Sequence, residues 1–196
     1  MKKIFFCLLL VNSLTTKAQS LKWYDGSVVI TTGDVITGKM VVEPSLNVLL
    51  VEQNNIRTVY PAHKIKSLYY YDESSDINRR FISLRDKSTL YNHYQLFEIV
   101  VQGEVSVLRK QETKYLKPSD ALDFTYYVAY YDDVMLLKKF GKKVYPLLKL
   151  SMETLDDFVS SNHLREYDSS NSITIIEYYN RQSRADMITA TLEIRK

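Results

Sequence analysis

Val28-Val29-Ile30-Thr31-Thr32-Gly33-Asp34-Val35-Ile36-Thr37-Gly38-Lys39-Met40-Val41-Val42 is the stretch that decides the fold class. Two β-branched runs flank Thr32-Gly33-Asp34, a tripeptide suited to reversing the chain, so the segment predicts an antiparallel hairpin. The pattern repeats outward. Leu46–Val51 and Ile56–Tyr60 flank Asn54-Asn55, Leu96–Val101 and Val105–Lys110 flank Gln102-Gly103, and Phe124–Tyr131 and Val134–Leu137 flank Asp132-Asp133. Asn and Gly tolerate positive φ, which a two-residue hairpin turn demands. Repeated hairpins with β-branched and tyrosine-rich strands predict an antiparallel sheet.

Prolines and polar runs punctuate these strands. Pro44-Ser45 and Pro61-Ala62 mark strand ends, and Asp72-Glu73-Ser74-Ser75-Asp76 reads as a loop, as does Gln111 to Asp120. A module boundary is placed near residues 85–92. Beyond Phe140 the character changes. Ser151 can cap a helix bearing Met152, Leu155, Phe158 and Val159 on one face and ending at Asn162, while Pro146 fits only a first helical turn. Residues 173–180 carry the β-branched content of a strand, but Ile173, Ile176 and Tyr179 after Ser-Asn-Ser favour a capped helix. Ile188, Ala190, Leu192 and Ile194 alternate and predict a final strand.

The expected architecture is therefore a β-rich α+β protein. A small SH3-like or Sm-like β-barrel module over 19–85 precedes an antiparallel β-meander, with a C-terminal helical segment packed on the sheet and a final strand, over 86–196. The barrel is an analogy of architecture and says nothing of function.

The first eighteen residues read as a secretory signal peptide. Lys2 and Lys3 precede the apolar run Ile4–Val11, and Thr16-Lys17-Ala18 ends in a small residue, which places cleavage between Ala18 and Gln19. The apolar run is about half the ~20 residues a spanning helix needs. Of the 26 Lys and Arg, three (Lys2, Lys3 and Lys17) lie in this leader, which has no acid, so the remainder carries 23 of each sign. A charge-balanced chain lacks the basic footprint of a nucleic-acid binder or of a protein held to an anionic membrane. The one cysteine, Cys7, also lies in the leader, so the mature chain offers no disulfide, thiolate ligand or cysteine nucleophile. The expected location is the periplasm or the outside of a bacterial cell.

The order of features resembles a group of uncharacterised exported proteins of Bacteroidetes-type bacteria. The resemblance rests on Val35-Ile36-Thr37-Gly38-Lys39, on the strand entry Pro61 through Ile65, on the hairpin Phe97 to Leu108, and on the Tyr179-Asn180 close. It spans roughly residues 20–180 and implies an envelope or secreted protein. It carries no catalytic residues across, and a strand beyond Asn180 departs from it.

Reactive constellations are absent from the sequence. His63, His93 and His163 are widely spaced and form no metal-binding pair. Asp72, Glu73 and Asp76 lack the alternation and closing Glu of a calcium loop. There is no nucleophile elbow, and Asp132-Asp133 and Asp156-Asp157 are sequence neighbours, whereas a glycosidase faces its carboxyls across a cleft. No metal or cofactor is expected.

Tyrosine is the unusual feature, with sixteen residues, including Tyr69-Tyr70-Tyr71, Tyr126-Tyr127, Tyr130-Tyr131 and Tyr178-Tyr179. Neighbours in a strand point to opposite faces, so each cluster should place one ring inward and one outward. Outward rings suit protein or glycan recognition. The candidate binding surface is therefore Tyr69, Tyr70, Tyr71, Tyr126, Tyr127, Tyr130 and Tyr131, against the alternative that these rings only pack. The leading expectation is a non-catalytic exported protein binding an envelope protein or glycan. The alternatives are a structural envelope accessory, a hydrolase with dispersed catalytic groups, and a small outer-membrane β-barrel, which the short strands and the helix near 151–162 disfavour.

Overall fold

The computed structural model describes residues 21–85, 93–111, 124–131 and 133–194, those from 185 onward as backbone alone. The leader and its cleavage site at Ala18 and Gln19, and most of the expected boundary at 85–92, lie outside the described residues.

Among the described residues, ten strands form one antiparallel sheet: β1 (Tyr24–Ile30), β2 (Val35–Glu43), β3 (Val48–Gln53), β4 (Ile56–Pro61), β5 (Ile65–Asp72), β6 (Ile77–Arg85), β7 (Tyr94–Val101), β8 (Val105–Gln111), β9 (Phe124–Tyr130) and β10 (Asp133–Leu136). Their spatial order is β10-β9-β8-β7-β6-β5-β1-β2-β3-β4. The β-rich α+β architecture is thus observed, but the sheet is not closed into a barrel. No described helix is long and apolar enough to cross a membrane.

The hairpin turns follow the sequence closely. Asn54 and Asn55 both take positive φ, and Gly33 sits at φ 98°. Gln102-Gly103 works differently. Gly103 is not in the left-handed region; a Cβ there would instead run into the side-chain amide of Asn180. β6 has no counterpart among the strand runs read from the sequence, which place only the loop Asp72–Asp76 just before it. Cross-strand pairing of Tyr70 with Arg79 and Phe81 with Glu98 places it inside the sheet.

Four described helices follow β10: α1 (Phe140–Lys143), α2 (Tyr145–Ser151), α3 (Thr154–Ser161) and α4 (Ser169–Ile194). Pro146 lies in the first turn of α2, where its missing N–H costs nothing. Asn162 ends α3 as expected, but Ser151 does not start it. Ser151 closes α2, its Oγ donating to the Leu148 carbonyl at 2.9 Å. Residues 173–180 are helical. The final strand expected over 188–194 is corrected to helix, since α4 runs unbroken to Ile194. Alternation at 188, 190, 192 and 194 contains i,i+4 pairs and so fits a helix as well as a strand. Nothing between Asn180 and Ile194 interrupts the helix with Gly or Pro.

The registers put Val28, Met40, Leu68, Tyr70, Phe81, Leu96, Val107 and Val128 on one face of the sheet. That face carries two apolar cores. One gathers Val28, Met40, Leu49, Val51, Leu68, Tyr70, Phe81 and Leu96. No described α-helix contributes to this core; Ala62 of the short 3-10 helix Ala62–Lys64 joins it, and the turn before β3 reaches across, with Leu96 N donating to Asn47 Oδ1 at 3.1 Å. The other joins Val105, Val107 and Val128 to Phe140, Leu148, Leu155, Ile175, Ile176 and Tyr179 from the helices.

Candidate functional site

Between the two cores, on the same face, the sheet is charged rather than apolar. Asp72 on β5, Arg79 on β6, Glu98 on β7 and Arg109 on β8 form a chain across four adjacent strands. Arg79 Nε donates to Asp72 Oδ2 at 3.0 Å and Arg79 Nη1 to Glu98 Oε1 at 2.8 Å. Arg109 grips Glu98 with two bonds, Nε to Oε2 at 2.7 Å and Nη2 to Oε1 at 2.9 Å. Lys22 extends the chain at 3.2 Å from Asp72 Oδ1. The β5–β6 turn adds Ser74 Oγ at 2.6 Å and Ser75 Oγ at 3.2 Å to the same carboxylate. Asp72 and Glu98 are buried, and these partners offset the cost of taking carboxylates out of water.

The hydrogen bond from Ser74, helped by Arg79 and Lys22, holds the Asp72 carboxyl well below the usual carboxylate range. The Arg109 guanidinium is held above its usual range by its bonds to Glu98. Burial lowers and the two carboxylates raise Arg79, with the carboxylates prevailing. A carboxylate this firmly ionised is a poor proton carrier near neutral pH.

A cleft of about 350 Å³ opens over this chain. Tyr24, Tyr70 and Phe81 line one wall as a continuous stack, with ring centroids 4.4 and 5.8 Å apart. Phe124 stands on the other side with the Arg109 guanidinium 4.4 Å over its ring.

The candidate tyrosines divide by face. Tyr70 is buried, while Tyr69 and Tyr71 are 56% and 43% exposed on the opposite face, which is the expected alternation. Tyr126 and Tyr130 pack against the helical core. Tyr127 points the other way and meets Phe97 edge-on at 5.1 Å. Tyr131, at φ 51° in the last turn, is exposed with its ring 4.4 Å from that of Tyr130. The seven do not converge. Strands β6, β7 and β8 separate Tyr69 and Tyr71 from the tyrosines of β9, a gap of about 19 Å at the usual strand spacing.

Around Tyr69 the opposite face forms a second, shallower groove of about 420 Å³, including Val29, Ser67, Arg80, Ile82 and Ile99. Arg80 lies directly across from Tyr69 and is steered by Gln102 Oε1 at 3.1 Å. Sequence reading found Tyr69 but missed Arg80, Ile82 and the whole ion-pair chain. The chain had no sequence signal, because its members come from four separate strands.

His63 and His163 are exposed, and His93 Nε2 lies 2.9 Å from Gln95 Nε2. No group of three His, Cys, Asp or Glu that could hold a metal occurs among the described residues. No family model matches the chain, and no curated protein or solved structure is significantly similar to it.

Proposed function

We propose that this chain is an exported, non-catalytic envelope or secreted protein that binds a protein partner through the sheet face carrying Tyr69. The observation that carries the reading is the groove on that face, where exposed Tyr69 and Arg80 border half-buried Val29, Ile82 and Ile99. An apolar centre rimmed by Tyr and Arg has the composition of protein interaction hot spots. A glycan subsite would surround its ring with carboxylates and amides, whereas this groove offers only Asn78 and Gln102. The absence of an active-site reading follows from the carboxylates that do converge, Asp72 and Glu98, being committed to arginines.

The test compares proximity cross-linking of the tagged wild type with Tyr69→Ala and Ile82→Glu variants in intact cells. A defined partner that is captured by the wild type and lost from both variants supports the reading. Equal capture by all three proteins refutes it. Export is tested separately: the mature protein should begin at Gln19 by mass, and a retained leader would remove that part. The support for export remains the leader itself.

We also read β1–β5 as an SH3-like or Sm-like module. The support is the strand order β5-β1-β2-β3-β4 together with a single 3-10 turn, Ala62–Lys64, joining β4 to β5. A purely structural envelope role is the second reading, favoured by the packing of Tyr70, Tyr126, Tyr127 and Tyr130.

A further inference from the structure

The cleft between the two cores has a different chemistry from the groove around Tyr69 and lies on the other face of the sheet. Its acceptors are already engaged. Asp72 takes hydrogen bonds from Lys22, the Ser74 amide and hydroxyl, Ser75 and Arg79, and Glu98 takes three from two guanidiniums. A carboxylate has about four lone-pair sites, so Asp72 is full and Glu98 nearly so. The donors are not exhausted in the same way. Each guanidinium has five N–H groups, and each directs two of its nitrogens at these carboxylates. Among the described residues, Lys22, Arg79 and Arg109 face Asp72 and Glu98, which leaves one positive charge over. The walls are aromatic, with Tyr24, Tyr70 and Phe81 opposite Phe124.

We propose that this cleft binds a small monoanion consisting of a carboxylate carried on a ring, either an acidic sugar or an aromatic acid. The carboxylate meets the outward edges of Arg79 and Arg109, whose planar forks match it in shape. The ring packs against Phe124 beside the Arg109 guanidinium, and the Tyr24, Tyr70 and Phe81 stack closes the far side of the cleft. A single negative charge cancels the local excess, whereas a dianionic phosphate would leave the aromatic-walled site with an uncompensated charge. The cleft volume of about 350 Å³ suits one ring and its substituent.

The experiment is calorimetric titration of the purified protein with D-glucuronate, benzoate and D-glucose at low ionic strength. One or both acids should bind saturably at a single site while glucose does not, and the responding acid identifies the source of the carboxylate. Arg79→Gln risks unfolding because it breaks the ion-pair chain. The deciding variants are therefore Phe124→Leu, which keeps every charge, and Arg109→Lys, which keeps the charge and loses the fork. Each should weaken binding about tenfold. Tyr69→Ala, on the other face, should bind acids like the wild type, so the cleft and the partner groove fail independently. Absence of binding by both acids below about 10 mM, equal binding of glucose, or acid binding indifferent to Phe124→Leu and Arg109→Lys would each overturn the proposal.

Discussion

The contact between Gly103 and Asn180 is the sharpest test of how α4 is fastened to the sheet. Asn180 is buried, its Oδ1 accepting from Val105 N at 3.0 Å and its Nδ2 donating to Val105 O at 2.7 Å. The amide therefore serves the end of β8 as a neighbouring strand would, and Gly103 leaves room for it. Asn180→Ala leaves a buried N–H and a buried C=O without partners, each worth about 1–3 kcal/mol, so a loss of about 3 kcal/mol is expected. Gly103→Ala drives a methyl into an amide that two hydrogen bonds hold in place, and overpacking of this kind costs about 1–3 kcal/mol. In the double variant the added methyl occupies space the amide has vacated. Its stability should match Asn180→Ala alone, giving a coupling of about 2 kcal/mol. Urea denaturation followed by far-UV circular dichroism reads this directly, since a loss of about 3 kcal/mol moves the midpoint by about 1.5 M at a slope of about 2 kcal/mol/M. Additivity within about 0.5 kcal/mol, or a neutral Gly103→Ala, would refute the reasoning.

Two further outcomes concern the charged seam. Glu98→Gln preserves shape but takes from Arg109 the carboxylate it grips and leaves Arg79 with Asp72 alone, and should cost about 3–5 kcal/mol in the same denaturation assay; a change below about 1 kcal/mol would mean that water already shields the pair. The folded-state pKa of Asp72 lies below its unfolded value, so its contribution to stability is present above about pH 4 and is lost as the pH falls further. Asp72→Asn should therefore flatten stability against pH below about pH 4, and an unchanged acid limb would show that Asp72 is not held ionised by its neighbours.

Local sequence carried the strands and their faces. Asn54-Asn55 specified a turn because few other residue types accept positive φ at both positions, and Tyr69-Tyr70-Tyr71 specified alternation because successive strand residues must diverge. Those signals act over a few residues and need no partner. The signal was weakest where local preference was degenerate. At 188–194 alternation and helical spacing coincide, and the uninterrupted helical run decided the outcome. At β6, the polar run Asn78-Arg79-Arg80 carries no strand signal of its own, and the carboxylates that pair with Arg79 lie on β5 and β7.

By itself the sequence determined a β-rich antiparallel protein, the positions of most of its turns, and that the tyrosines of the β5 triplet divide between the two faces. It did so because backbone conformation and face alternation are properties of neighbouring residues. The tertiary structure alone decided that the ten strands form one open sheet and that Gly103 exists for Asn180. It alone brought Asp72, Arg79, Glu98 and Arg109 into a single chain between two cores. These are pairings between residues far apart in the chain, fixed by strand order and register, and no window of sequence contains both partners.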